Sequence, residues 1–271
     1  AAQKKPPKTS PQKPSASTPL RVFQIYFEGW QREMLDPAFV ALDNSRSRSE
    51  LLEFAVFEQL HKNAATQGVP LWGALSWRFG EKTGLSGAQW AQQILDRPGY
   101  DVYFCNPYPD NEALFHNMWL HGQTRHPRFL EVVRAFMIAA DLDPQTLTRM
   151  EPASHFCAAN YFVASPAFWG RYLDFVRKAL AQAERRMPAE LRTLMHSELA
   201  DERKLHNSAT YVPFIVERLF TVFLRTQGRE FKALKISLPE REGELNVHLK
   251  LLRDMKDLAH KTQSAWMGAC W

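Results

Sequence analysis

From residue 20 onward, short continuous apolar runs alternate with sets of apolar residues spaced three or four apart. The runs are bounded by Pro, Gly or Asn and predict buried strands at residues 21–27, 70–76, 100–105, 157–164 and, more weakly, 234–237. The spaced sets predict helices at residues 49–62, 86–95, 112–141 with a break near Gly122 and Pro127, 189–205, 213–224 and 242–261, and one beginning at Pro166. Strands alternating with helices, followed by helices alone, indicate an α/β fold with a central mixed sheet flanked by helices and a helical C-terminal part.

The first 19 residues have a different composition from the rest. They consist mainly of Lys, Pro, Ser, Gln and Thr, and they cannot bury enough apolar surface to offset the entropy of ordering the chain. We therefore expect a disordered linker at residues 1–19 and a single domain at residues 20–271. Because the sequence does not begin with Met, we expect this linker to tether the domain to another module of the same polypeptide.

The net charge of +5 is concentrated in that linker, where Lys4, Lys5, Lys8 and Lys13 stand without any acidic residue. The rest of the chain is nearly neutral. This argues against nucleic-acid binding, which needs a clustered basic face to neutralise phosphates. The lysines predict either a weak peripheral contact with an anionic membrane, worth about 1 kcal/mol per cation near the surface, or a solvated linker.

The sequence contains no signal for export or membrane insertion. No apolar run reaches the roughly 18 residues that span a bilayer, and the basic N-terminus is not followed by the apolar core of a secretion signal. Cys105, Cys157 and Cys270 lie far apart, which suggests neither a disulfide framework nor a thiolate zinc site. These features predict a cytoplasmic protein, at the inner face of the membrane if the basic tail binds lipid.

The run at residues 100–105 ends in a loop rich in polar side chains. Asn106, Asp110 and Asn111 follow the predicted strand among two prolines and a tyrosine. In open α/β sheets ligands bind beyond the carboxyl ends of the strands, because loops and helix N-termini converge there. The loop is therefore either part of a binding site or an ordinary exit from a strand.

Glu217 and Arg218 lie within an otherwise apolar helix. A charge there must be paired or neutralised to be tolerated. Adjacent helix positions point about 100° apart, so we expect one of these side chains to face a site and the other a structural partner. The alternative is a buried ion pair that holds the helix against the sheet.

His116, His121 and His126 recur every five residues. Such residues do not share one face of a continuous helix, so a zinc site would require the break near Gly122. A polar, aromatic loop for sugar recognition is the favoured interpretation. In it Trp119 stacks on a sugar ring, while Asn117 and His121 bond its hydroxyl groups.

Several pieces keep the order found in a group of bacterial capsular-polysaccharide glycosyltransferases, which are expected to have the GT-A fold. The pieces are Glu50-Leu51, residues 72–79 (WGALSWRF), residues 160–169 (NYFVASPAFW) and residues 214–220 (FIVERLF). Each piece alone is a weak match. The resemblance lies in their shared order over roughly residues 21–225. The resemblance implies a GT-A-like, Rossmann-like domain that transfers a sugar from a nucleotide-sugar donor to a glycan acceptor.

Such a transfer needs a stacking face for the base, cations or hydrogen-bond donors over the diphosphate, and a carboxylate near the acceptor hydroxyl. Carried onto this sequence, the resemblance makes Glu217 the candidate base and Asp101 a second catalytic candidate that orients the donor sugar. It assigns donor binding to Tyr26, Arg78, Asn106 and Asp110. It assigns substrate binding to Trp77, Asn117, Trp119, His121, Asn160 and Arg218.

The metal is where this chain departs from the pattern. Many GT-A enzymes place Asp-x-Asp just after a central strand to hold Mg²⁺ or Mn²⁺ against the diphosphate. Here Asp141-Leu142-Asp143 follows a predicted helix and precedes Pro144, so we interpret it as a helix-end loop and name no metal ligand. Dependence on Mg²⁺ or Mn²⁺ is left open, with Arg78 or a histidine as a substitute for the ion.

The sequence therefore predicts a glycosyltransferase of bacterial surface-polysaccharide synthesis, acting on capsule or lipopolysaccharide O-antigen. The alternative is a catalytically silent carbohydrate-binding or scaffolding module of the same fold within a larger polysaccharide-synthesis protein. The missing strand-end Asp-x-Asp favours the silent module, whereas the Glu217-Arg218 pair and the loop at Asn106 favour the enzyme.

Overall fold

The structure, a computed structural model, describes residues 19–199 and 209–271. Within them six strands form one sheet, in the order β2-β1-β3-β5-β4-β6. The strands are β1 (Leu20–Tyr26), β2 (Val40–Asp43), β3 (Leu71–Ser76), β4 (Val102–Phe104), β5 (Phe162–Ala164) and β6 (Ala233–Lys235). Only β5 pairs antiparallel with its neighbours, β3 and β4, and the other pairs are parallel. The carboxyl ends of the five remaining strands therefore meet at one edge.

Helices cover both faces of this sheet. They are α1 (Glu53–His61), α2 (Phe79–Thr83), α3 (Gly87–Leu95), α4 (Pro109–Leu114), α5 (Met118–Gln123), α6 (Phe129–Ala139), α7 (Pro166–Arg186), α8 (Ala189–Met195), α9 (Tyr211–Arg225), α10 (Pro239–Gly243), α11 (Val247–Thr262) and α12 (Ala265–Cys270). Most of the chain after β5 is helical. The predicted mixed α/β sheet with a helical C-terminal part is confirmed.

Alternation along the strands divides the core into two layers. In β3, Trp72 packs with α1, α6, α7 and α9 on one face, whereas Leu75 packs with α2 and α3 on the other. Trp72 stacks on Trp169 of α7 with ring centroids 4.3 Å apart, and Trp169 Nε1 donates to the Trp72 carbonyl oxygen at 2.9 Å. Phe162 of β5 likewise stacks on Phe220 of α9 at 4.4 Å. These contacts fix α7 and α9 against the centre of the sheet.

Gly73 lets β5 lie close against β3. A Cβ at this position would overlap the Phe162 carbonyl oxygen and come within 2.7 Å of Val163 Cγ1. Backbone oxygen cannot move aside as a flexible side chain can, so a larger residue here would push the two strands apart.

Two local features of the sequence set helix starts where they were predicted. Ser86 caps α3, accepting from the Gln89 amide at 3.2 Å, while the Gln89 side chain accepts from the Ser86 amide at 2.8 Å. Pro166 occupies the first turn of α7 after Ser165, which accepts from the Phe168 amide.

The helix predicted at residues 49–62 begins later than expected. The Ser49 hydroxyl accepts from the Leu51 amide in a turn, and α1 begins four residues later at Glu53, after Leu52 in a positive-φ conformation. The strand predicted at residues 157–164 is regular only at its last three positions, and the edge strand β2 was not predicted. The region predicted as one broken helix at residues 112–141 is three helices, the first starting at Pro109.

Two predictions fall wholly or mainly outside the described residues. These are the linker at residues 1–19, of which only residue 19 is described, and the end of the helix predicted at residues 189–205. Of its described residues, α8 covers Ala189–Met195, and residues 196–199 are not helical, so the prediction is too long there. Among the described helices, none combines the length and the apolar character needed to cross a membrane.

Candidate functional site

Polar and charged side chains meet where β3 and β4 end and β5 begins. We call this group the edge cluster; its members are Ser76, Lys82, Tyr108, Asn160, Tyr161 and Glu217. They come from five separate stretches of the chain, which the sheet order places side by side. A sheet edge of this kind is where α/β proteins bind ligands.

Lys82 is the cation of the edge cluster. Its Nζ lies 5.9 Å from the ring centroid of Tyr108 and 5.7 Å from that of Tyr161, within cation–π range of both. Burial alone would lower the pKa of Lys82, but the neighbouring oxygens of Tyr161, Tyr108 and Glu217 outweigh it and raise the pKa above its usual value. Lys82 is therefore a permanent positive charge at neutral pH.

Tyr161 is held in place beneath this cation. Its hydroxyl lies 2.7 Å from Ser76 Oγ, and its carbonyl oxygen accepts from the Cys105 amide at 3.0 Å. Burial raises the pKa of Tyr161 to about 12, so it stays a neutral phenol that can donate or accept hydrogen bonds.

Glu217 is the carboxylate of the edge cluster. Its side chain is 23% exposed, and the Asn160 backbone amide donates to it. Burial raises the pKa of Glu217 to about 7, although Arg218 and Lys82 both act to lower it. A carboxylate with this pKa can accept a proton at neutral pH and is still partly reachable from solvent.

Arg218 adjoins Glu217 but makes its hydrogen bonds outside the edge cluster. It is 3% exposed, its Nε donates to the Met118 carbonyl oxygen at 2.9 Å, and its Nη1 donates to that of Phe214 at 2.8 Å. Its guanidinium also lies 5.2 Å from the Phe129 ring centroid. Arg218 Nη1 lies 3.6 Å from Glu217 Oε2, within ion-pair distance. Since these contacts anchor α9 to α5, Arg218 is placed to support the helix, whereas its neighbour faces the edge.

Three buried polar atoms in this region have no hydrogen-bond partner in the structure: Asn106 Oδ1, Asn160 Oδ1 and His121 Nδ1. His121 Nε2 lies 3.1 Å from the Asn111 amide nitrogen, and burial lowers the pKa of His121 to about 3, so the ring is neutral. A buried polar atom without a hydrogen-bond partner costs free energy. Such atoms are therefore candidates for hydrogen bonds to a ligand.

The β1 side of the edge carries Tyr26 and Arg78, two of the residues assigned to the donor, and Trp77, assigned to substrate binding. Arg78 donates through Nε to Glu81 at 2.8 Å and lies 5.8 Å from the Trp77 ring centroid. Trp77 is 7% exposed and meets Trp30 edge to face. Tyr26 is 8% exposed, so little of its ring is available to stack on a base. Arg78 thus lies at the predicted edge, but in an ion pair.

The structure does not bring Asp101 to this edge. Asp101 precedes β4, at the opposite, amino end of the strand, and its Oδ2 accepts from the Lys232 amide at 2.9 Å. Its contacts are those of a residue that fastens the start of β6. Asp110 does lie near the edge, exposed on the first turn of α4.

Asn117 and Trp119 are structural in their contacts, contrary to the sugar-recognition interpretation. Asn117 caps α5, accepting from two backbone amides at 3.0 Å, and its amide group donates to three carbonyl oxygens in residues 146–149. Trp119 is 1% exposed and stacks on Phe129 in the core. Neither side chain has surface left for a sugar.

The side chains that the structure describes do not by themselves form a site for Mg²⁺ or Mn²⁺. Across residues 19–199 and 209–271, no group of three or more His, Cys, Asp or Glu side chains is arranged to hold a metal ion. Asp141 pairs with Arg186 at 2.5 Å, and Asp143 caps the turn at Pro144, so the interpretation of this segment as a helix-end loop is confirmed. His116 packs on Trp271, and His126 packs on Phe214.

A surface pocket of about 280 Å³ opens at the same edge on the β6 side, between α4, β6 and α11. Asn106 lines it, but Glu217 does not. The two regions adjoin through the Asn106 side chain, whose Nδ2 donates to the Tyr108 carbonyl oxygen at 3.0 Å and to Glu112 Oε1 at 2.8 Å.

Lys82, Tyr108 and Tyr161 were missed by the sequence reasoning. One signal for Lys82 was available: it stands four residues after Arg78, and residues at this spacing share a helix face. The two tyrosines are ordinary aromatic residues in sequence, and only the pairing of β4 with β5 brings them to one cation.

No family model matches the chain, and no curated protein does. Among solved structures, the apo structure of the bifunctional glycosyltransferase WbbM matches over 80% of this chain, with a TM-score of 0.47 and 12% sequence identity. The match covers 44% of that longer chain, so this chain spans less than half the length of the protein it resembles. Similarity at this level carries no argument about chemistry, which must come from the residues of the edge cluster.

Proposed function

We propose that this protein transfers a sugar from a nucleotide-sugar donor to a glycan acceptor at the edge cluster. The observation that carries the proposal is the position of Glu217, a partly exposed carboxylate with a pKa raised to about 7, in the electrostatic field of Lys82. A base for the acceptor and a cation for the leaving diphosphate are the two groups that this reaction needs most.

In the proposed reaction Glu217 takes the proton of an acceptor hydroxyl. The acceptor oxygen forms a bond to the anomeric carbon of the donor, and the bond from that carbon to the phosphate oxygen breaks. The electron pair leaves with the nucleoside diphosphate. Asn160 supports the base, because its backbone amide donates a hydrogen bond to the carboxylate. The carbonyl oxygen of the Asn160 side chain has no partner among the described residues.

Lys82 is the proposed counter-charge for the departing diphosphate. It already lies between two phenol rings and needs no rearrangement to receive an anion. Arg78 is the second cation, and its pairing with Glu81 must open for it to reach a phosphate. With both cations in use, no step is assigned to a metal ion.

From the resemblance noted in the sequence, we further propose that this reaction belongs to bacterial surface-polysaccharide synthesis, with capsule or O-antigen as the acceptor. A catalytically silent carbohydrate-binding module is the second candidate. The observation that favours it is the exit of β3, where Trp77 and Arg78 stand in place of the two aspartates that many GT-A enzymes place after a central strand.

Calorimetry tests the proposal. UDP, GDP, CDP and dTDP are titrated into the protein with and without Mn²⁺, and one of them is expected to bind. Lys82→Met should weaken that binding by about tenfold or more, equivalent to about 1.4 kcal/mol, whereas Lys62→Met, at an exposed lysine, should not change it. Failure of all four nucleotides to bind under either condition would refute sugar transfer here and leave the silent module.

A further inference from the structure

The pocket between α4, β6 and α11 has fixed walls. The buried amine of Lys256 on α11 donates to the Glu112 carbonyl oxygen at 2.8 Å and to that of Phe115 at 2.6 Å, which ties α11 to α4. On the same helix, Asp257 accepts from the Ala153 amide at 2.6 Å, which ties α11 to the segment at residues 153–155. The pocket is therefore preformed, as small-molecule sites usually are.

Its charge excludes the donor diphosphate. Four carboxylates line the pocket against two cations: Glu112, Glu242, Asp254 and Asp257 against Lys235 and Arg253. Both cations are already engaged, since Lys235 contacts Glu112 directly and Arg253 lies 3.9 Å from Glu112 and 3.7 Å from Glu242. A negative surface of this kind repels phosphate and favours neutral or positively charged ligands.

Its polar groups suit a polyhydroxyl ligand. A sugar hydroxyl both donates and accepts, so it can bond a carboxylate and an ammonium or guanidinium group together. Asn106, 2% exposed, lines the pocket, and its buried side-chain carbonyl oxygen has no hydrogen-bond partner among the described residues. Pro109, Ile236 and Leu238 form the apolar floor of the pocket and are nearly fully buried.

The position of the pocket relates it to the proposed chemistry. Asn106 donates to the carbonyl oxygen of Tyr108, and the Tyr108 ring lies over Lys82 in the edge cluster. We infer that this pocket is the acceptor subsite and holds a neutral or amino-bearing sugar ring of the glycan. This inference rests on the proposed function, since an acceptor has meaning only if sugar transfer takes place.

Saturation-transfer NMR tests the inference separately from transfer. The probes are neutral, amino-bearing and uronic-acid oligosaccharides of two to four rings, together with the nucleotide identified by calorimetry. Ser154→Trp fills the pocket from an exposed position on its lining and should weaken binding of the neutral and amino-bearing probes by about tenfold or more, without changing nucleotide affinity. Thr193→Trp, exposed on α8 and outside the pocket, is the matched control.

A second variant covers the case in which Ser154→Trp fails to fold. Asp254→Lys reverses one charge of the lining and should weaken the amino-bearing probes more than the neutral ones, whereas Glu190→Lys, at an exposed residue elsewhere, should change neither. If the nucleotide binds but no saccharide does, the acceptor subsite is overturned and sugar transfer still stands. The same holds if the nucleotide binds and saccharide binding survives both substitutions. Saccharide binding without any nucleotide binding overturns both, because the pocket would then serve no acceptor.

Discussion

Replacing Glu217 with Gln separates the proposed catalytic role of this residue from its effect on stability. The change keeps the shape of the side chain and the hydrogen bond from the Asn160 amide but removes the ability to take a proton. Loss of a general base slows a reaction by roughly 10²- to 10⁴-fold. We therefore expect transfer to fall by about that factor while nucleotide affinity is kept, since Lys82 is untouched.

The raised pKa gives the expected change in stability. A shift from 4.5 to about 7 corresponds to about 3 kcal/mol at 1.36 kcal/mol per unit, and to about 2 kcal/mol after allowance for a side chain that is 23% exposed. The protonated carboxyl is the form that favours the fold. Its contribution is fully present below pH about 4.5 and is lost as the pH rises through about 7. The Gln variant has no such loss.

The assay is urea unfolding followed by tryptophan fluorescence at pH 5 and pH 8, for both proteins. The free energy of unfolding of the Gln variant, relative to that of the wild type, should increase by about 2 kcal/mol between the two pH values. Glu190→Gln, at an 81% exposed carboxylate, should show no such change. The same titration should appear in the wild-type transfer rate, which should rise with pH through about 7. A pH-independent difference between the two proteins would show that Glu217 does not titrate near neutrality, and the assignment of the base would be wrong.

Three further results are expected. Asn117→Ala should lower the free energy of unfolding, measured with urea, by about 2 to 4 kcal/mol, because it removes a helix cap and leaves carbonyl groups unsatisfied. A loss below about 0.5 kcal/mol would contradict the structural role of Asn117. Asp101→Asn should leave kcat and KM for transfer within about twofold, because the residue lies at the amino end of β4, and a loss above tenfold would return it to the site. A thiol reagent at pH 8 should modify Cys270 alone in the native protein. The reason is that burial raises the pKa of Cys157 to about 12 and that of Cys105 well above its usual value. Rapid reaction of a second thiol would show that the core opens.

Elements with strong local signals were predictable from the sequence. The Ser86 capping box and the first-turn Pro166 fix helix starts through neighbours within three residues, so no knowledge of the fold was needed. Continuous apolar runs located β1, β3 and β4 because these strands are buried on both faces.

Other elements depend on distant contacts. β2 lies at the edge of the sheet with Val40 47% exposed, so its sequence lacks the apolar run that marks a buried strand. Ser49 has the residue type of a helix cap but uses its hydroxyl in a turn four residues too early. Side chains that can cap either a turn or a helix give no local indication of which they will do.

The residues of the candidate site likewise include some that the sequence could identify and some that it could not. Glu217 was identifiable because a charge within an apolar helix is costly wherever the helix packs. Lys82 was not, because its environment is created by two tyrosines from other parts of the chain. Asn117 and Trp119 have the composition of a sugar site but are used within the core, and sequence alone does not distinguish these roles.

The absence of a side chain at Gly73 sets how closely β5, which follows Asn160 and Tyr161 of the edge cluster, lies against β3. β5 leads directly from Asn160 and Tyr161, so any outward displacement of that strand would carry both residues off β3 and strain the bridge from Tyr161 to Ser76. An alanine at position 73 would thus act as a wedge that moves Asn160 and Tyr161 away from Ser76. The proposed sugar transfer would therefore depend on the absence of a side chain at this position as well as on the groups that carry the chemistry.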